Sequence, residues 1–115
     1  MSEITSHLKK MEEVAARSED VAAELEGWER VIQFQGEGVD PFYITIKDGK
    51  LSVSEGTYEN PDLTMEANHD TVLGMITGEI DATSAYMSGD LKVIGALPDA
   101  VKFRTLIEII RDEME

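Results

Sequence analysis

A chain of 115 residues, 42% hydrophobic and 30% charged, is sized for one globular domain over 1–115 with a single core, and its composition is not that of a disordered chain. Ten Lys and Arg against 24 Asp and Glu leave a formal charge of −14, which excludes nucleic acid as a partner and makes association with anionic membranes weak or absent. The lack of cysteine removes disulfides, thiolate metal sites and cysteine nucleophiles.

The opening MSEITSHLKKMEE is charged and amphipathic, without the apolar centre of a signal peptide. No run of about 18 apolar residues is present to span a bilayer. The closing Asp112-Glu113-Met114-Glu115 is neither a peroxisomal nor an endoplasmic-reticulum address, so a cytoplasmic protein is expected.

From Glu3 to about Leu25 the sequence has no Gly or Pro. Ile4, Leu8, Met11, Ala15 and Ala22 share one helical face, with Val14, Val21 and Leu25 beside it and Glu12, Glu13, Arg17, Glu19 and Asp20 on the other side. That spacing predicts one amphipathic helix, ended by Gly27.

The period then changes to two. Trp28, Ile32 and Phe34 alternate with Glu29, Gln33 and Gln35, interrupted by Val31. After Gly36-Glu37-Gly38, Phe42, Ile44 and Ile46 alternate with Tyr43, Thr45 and Lys47, which predicts an antiparallel strand pair. Asp48-Gly49 then turns the chain into a third strand at Leu51-Ser52-Val53. Leu63 to Ala67 alternates again with apolar residues on one face, so the sheet is expected to be covered on one side and wet on the other.

Asn68 can cap a short helix through Val72, Leu73, Met75 and Ile76 that Gly78 stops, and Asp81 can cap a second through Ala85-Tyr86-Met87. Leu91 to Ile94 forms a last strand. Pro98 fits the first turn of a closing helix in which Phe103, Leu106, Ile107, Ile110 and Met114 make a stripe. Ile109 and Val101 lie off that stripe, giving the helix more apolar surface than one contact needs.

No side chain in this pattern carries evident chemistry. His7 and His69 have no partner at a metal-ligand spacing that stands out from the acidic background. Ser88, in Met-Ser-Gly, is a turn serine without a histidine nearby in sequence. Gly36 and Gly38 lie between strands, where no helix end can cradle phosphate. The carboxylate pairs Glu12-Glu13 and Asp112-Glu113 sit on helix faces expected to be solvated, where unshifted acids do no acid or base work near neutral pH. No catalytic residue, metal ligand or cofactor is therefore assigned, and no enzymatic activity is expected. Met65, Met75 and Met87, from the sheet and both short helices, are adaptable apolar groups that by themselves read as ordinary core residues, and spacing alone does not separate core from cavity.

The strand pair ending at Asp48-Gly49, then Pro61-Asp62-Leu63-Thr64, the helix closed by Gly78, Asp81, and the run from Tyr86 to Gly95 followed by the apolar last helix resemble the sterol carrier protein 2 (SCP-2) sterol transfer family. The resemblance spans about Trp28 to Ile110, with the first helix in its expected place. It implies an α/β (α+β) fold in which helices cover one face of a five-stranded, mainly antiparallel sheet around an elongated apolar cavity. It further implies non-enzymatic binding or transfer of a long-chain fatty acyl, isoprenoid or sterol-like ligand.

On that resemblance the cavity candidates are Phe34, Ile44, Ile46, Met65, Leu73, Met75, Ile76, Tyr86, Met87, Leu91, Val93, Phe103, Leu106, Ile107 and Ile110, with Met87 pointing inward. Domains resembling this family also serve as dimerisation or substrate-shielding parts of larger enzymes. A second copy or another protein is thus an alternative partner, for which Val101 and Ile109 would provide surface.

Overall fold

In the computed structural model, which describes residues 3–114, the first apolar segment is divided between helices α1 (Glu3–Arg17) and α2 (Glu19–Leu25). The single helix expected over Glu3–Leu25 breaks at Ser18, which has an extended backbone (φ −96°, ψ 124°) and accepts a 3.2 Å hydrogen bond from the Val21 N–H through its hydroxyl. Serine in this place satisfies a first-turn donor of α2, which makes the break stable. Its hydroxyl also donates to the Glu113 carboxylate near the chain's other end. The break shifts the helical phase, so Val21 and Leu25 stay buried while Ala22, expected on the buried face, is exposed.

The strands are β1 (Arg30–Gly36), β2 (Val39–Lys47), β3 (Lys50–Glu55), β4 (Leu63–Glu66) and β5 (Lys92–Gly95), in the order β3-β2-β1-β4-β5. β5 begins one residue later than the expected Leu91. The β1–β2, β2–β3 and β4–β5 pairs are antiparallel and β1–β4 is parallel, so the sheet is mixed. Asp48 (φ 54°) and Gly49 (φ 74°) form the two-residue turn that closes Lys47 on Lys50. Left-handed backbone at both positions matches the right-handed twist of the flanking strands, and Asp-Gly tolerates it.

Alternation places Ile32, Phe34, Phe42, Ile44, Ile46, Leu63 and Met65 in the core. The opposite face is not uniformly wet, because Gln33 is only 2% exposed. The β3–β4 connection folds over it. The Gln33 amide donates to the carbonyls of Phe34, Phe42 and Gly56 and accepts a 2.7 Å bond from the Tyr58 N–H, while Tyr58 lies 5.3 Å from Tyr43, centroid to centroid. A buried amide with its hydrogen bonds made is tolerated where an unpaired one would not be.

Helices α3 (His69–Thr77), α4 (Ala82–Ser88) and α5 (Leu97–Met114) complete the chain. Asn68 caps α3 by accepting from the Thr71 N–H at 2.9 Å, and Asp81 caps α4 by accepting from the Ser84 N–H at 3.2 Å. Phe103, Leu106, Ile107 and Ile110 bury the α5 stripe as its spacing predicts. α1 lies against β3, α3 and α5, while α2 lies against α5. Glu12, expected to be solvated, reaches the outer edge of the sheet and accepts a 2.6 Å bond from the Val53 N–H. That carboxylate occupies a donor that an unprotected edge strand would offer to another chain.

Candidate functional site

The apolar layer between sheet and helices is not filled evenly. Phe34 of β1 and Met65 of β4 are partners in the parallel register, and they form the floor of a hollow of about 260 Å³. Met75 and Ile76 of α3, Ile80 and Ala82 after it, and Phe103 and Ile107 of α5 supply its apolar walls. The Phe34 ring stacks on Phe42 at 4.8 Å and meets Phe103 at 5.8 Å, which fixes the floor against α5. Ile80 folds back so tightly that a Cβ on Gly74 would fall 2.4 Å from its Cδ1, while its N–H donates to the Gly74 carbonyl at 3.0 Å. The α3–α4 connection is thereby held as a wall.

A second hollow of about 170 Å³ lies on the other side of Met65, Ala82 and Arg104, bounded by Tyr86, Leu91, Val93, Leu97, Ala100 and Val101. These three residues line both spaces, so they form the partition between them.

The rim is charged. Arg104 donates from Nε (3.0 Å) and Nη2 (2.5 Å) to Asp81 Oδ1, and its Nη2 lies 3.3 Å from Glu108 one turn along α5. The hydrogen bond from Arg104, with a further one from the Ser84 N–H, holds the Asp81 carboxyl below its usual range. The hydrogen bond to Asp81 in turn raises the Arg104 guanidinium. Arg111 completes the rim beside Gly78. Among the described residues there is no group of three or more His, Asp or Glu placed to hold a metal ion.

Of the cavity candidates, Phe34, Met65, Met75, Ile76, Phe103 and Ile107 line the larger hollow, and Tyr86, Leu91 and Val93 line the smaller one beside Met65. Ile44, Ile46, Leu106 and Ile110 are instead solid core, each at most 1% exposed, and Leu73 packs against that core half-buried. The inward orientation expected of Met87 is not found: its side chain is 80% exposed and lines neither hollow. α4 turns its Ala82 and Ala85 side toward the protein, and a helix of seven residues has no second buried face to offer. Ile80, Ala82, Asp81, Arg104, Glu108 and Arg111 were missed by apolar periodicity. The spacing of 104, 108 and 111, which sets three charges along one side of α5, is the signal that could have found the rim.

The model of the SCP-2 sterol transfer family matches residues 8–108. Among solved structures, a UbiJ-SCP2 ubiquinone synthesis protein has a TM-score of 0.73 at 16% identity, covering 93% of this chain and 94% of its own. Palmitated SCP2L2 from Aedes aegypti has a TM-score of 0.67 at 20% identity, covering 93% and 95%. The inverting sec-alkylsulfatase Pisa1 from Pseudomonas sp. has a TM-score of 0.68 at 19% identity over 81% of this chain, but only 15% of that enzyme is covered. No curated protein matches the chain. These likenesses show the fold.

Proposed function

The chain belongs to the SCP-2 sterol transfer family, and from that membership we propose that it is a carrier holding a long-chain fatty acyl, isoprenoid or sterol-like ligand without transforming it. The observation that carries this reading is the apolar hollow of about 260 Å³ between the sheet and helices α3 and α5. That volume falls below the roughly 300–1,000 Å³ of ordinary small-molecule sites. A long chain therefore fits only if the partition of Met65, Ala82 and Arg104 moves and the second hollow is joined to the first. Methionine suits such a wall because it is unbranched and repacks readily.

The charge of −14 leaves the protein repelled by anionic lipid surfaces, so exchange with neutral membranes or with a protein partner fits this carrier best. Titration with fatty acids of increasing length tests the reading. Each buried methylene contributes about 0.8 kcal/mol at most, so affinity should climb steeply with length and level off once the joined hollows are full. Affinity independent of chain length would contradict it.

A second reading, an accessory or dimerisation domain acting beside an enzyme, is favoured by one observation. Met87, Ile94, Leu97 and Val101 are 47–80% exposed on α4, β5 and the start of α5. Native mass spectrometry separates the two: a copurifying lipid supports the carrier, and a lipid-free dimer supports the interaction domain.

A further inference from the structure

The charges around the larger hollow are not equally committed. Arg104 engages both acids of the rim, Asp81 through two donors and Glu108 through one. Arg111 has no ion pair or hydrogen bond among the described residues, and its Nε is buried without a partner. A buried guanidinium N–H without an acceptor is costly, and the cost is recovered when an acceptor arrives.

The chain also makes room for this group. Gly78, with φ of 91°, ends α3 where a Cβ would fall 1.8 Å from Arg111 Nη1, so any other residue there would push the guanidinium away. On α5 the residues Phe103, Ile107 and Arg111 follow one another at intervals of four, which puts them in line on one side of the helix. All three line the hollow. An apolar chain lying along Phe103 and Ile107 thus ends beside a cation with unused donors.

We propose, resting on the carrier reading above, that Arg111 reads an ionised carboxylate head, so that the site selects a fatty carboxylate over a neutral chain of the same length. The planar guanidinium presents paired donors that match the two oxygens of a carboxylate. A purely structural role for Arg111, complementing the carbonyl end of α3, would alter stability and leave head-group selection alone.

The test is binding of a long-chain fatty acid and of the primary alcohol of the same length, by isothermal titration at pH 8, where the acid is ionised. The wild-type protein should prefer the acid by about tenfold or more, the scale of one charge-assisted interaction. Arg111→Gln should lose that preference with alcohol affinity kept, and Arg111→Lys should retain part of it. An acid-to-alcohol ratio unchanged in Arg111→Gln would overturn the assignment. Equal affinities in the wild-type protein, a measurement that needs no variant, would overturn it while leaving the carrier reading in place. Binding of neither compound would overturn both.

Discussion

The two halves of the helical layer are built from similar residues and end differently. Under α1 the side chains of Ile4, Leu8, Met11, Val14 and Ala15 are all at most 7% exposed, and at the adjoining sheet edge the Glu12 carboxylate accepts from the Val53 N–H while Thr5, Lys9 and Glu55 give the hollow beside Leu8 a polar lining. Under α3, α4 and the middle of α5 the same kinds of side chain leave two hollows divided by Met65, Ala82 and Arg104. The difference lies in element length. α1 has four turns and lays an unbroken stripe on its neighbours, whereas α3 and α4, of nine and seven residues, bend around Ile80 and cannot reach across the space that they enclose. Close packing stabilises the first half. Its absence in the second gives a ligand somewhere to go.

The largest expected contrast comes from deleting side-chain volume. Met11→Ala in the first half should cost about 2–5 kcal/mol by denaturant unfolding, since Met11 is 1% exposed and enclosed by core side chains. Met75→Ala borders space that is already empty, so it should cost less than about 2 kcal/mol while weakening fatty-acid binding. Equal costs would erase the distinction between the halves.

Adding volume should invert the ranking of function and stability. Ala15→Leu overfills the first half and should cost about 1–3 kcal/mol without altering ligand affinity. Ala82→Leu grows into the partition, and it should cost less than about 1 kcal/mol but reduce binding severalfold. A binding titration beside each unfolding curve decides this.

How far these halves were legible from the sequence differs for identifiable reasons. The Asp48-Gly49 turn, the caps at Asn68 and Asp81 and the α5 stripe are local signals, and the structure has them where the spacing put them. The break at Ser18 is not visible in the spacing, because apolar residues recur at helical intervals on both sides of it, no Gly or Pro marks it, and a capping serine resembles a tolerated helical one. Gln33 was placed on a wet face since alternation knows nothing of the loop that later folds over it. Which apolar residues fill core and which border space could not be read at all. Ile44 and Met65 alternate identically in their strands, and only the reach of the helices above separates them.

Met87 gives a smaller effect. Its 80% exposure means that Met87→Ala should shift stability by no more than about 0.5 kcal/mol and leave ligand affinity unchanged, in contrast to Met75→Ala. The smallest effect concerns acid. Asp81 is held below its usual range chiefly by the hydrogen bond from Arg104, so its stabilising contribution is present above the ordinary carboxylate value of about 4 and is lost as pH falls through the lowered value. Asp81→Asn should therefore flatten the decline in thermal midpoint below about pH 4 relative to wild type. An unchanged acid limb would mean that the pair is not maintained in solution.

The central claim, that the ligand chain enters the two hollows on either side of Met65 and not the layer under α1, is tested by the methionines themselves. Met65 and Met75 line the larger hollow, Met11 lies under α1 and Met87 stands in solvent. With methyl-labelled methionine, titration of a long-chain fatty acid should displace the NMR signals of Met65 and Met75 and leave those of Met11 and Met87 where they were. Displacement of Met87 or Met11 while Met65 and Met75 stay fixed would contradict the account.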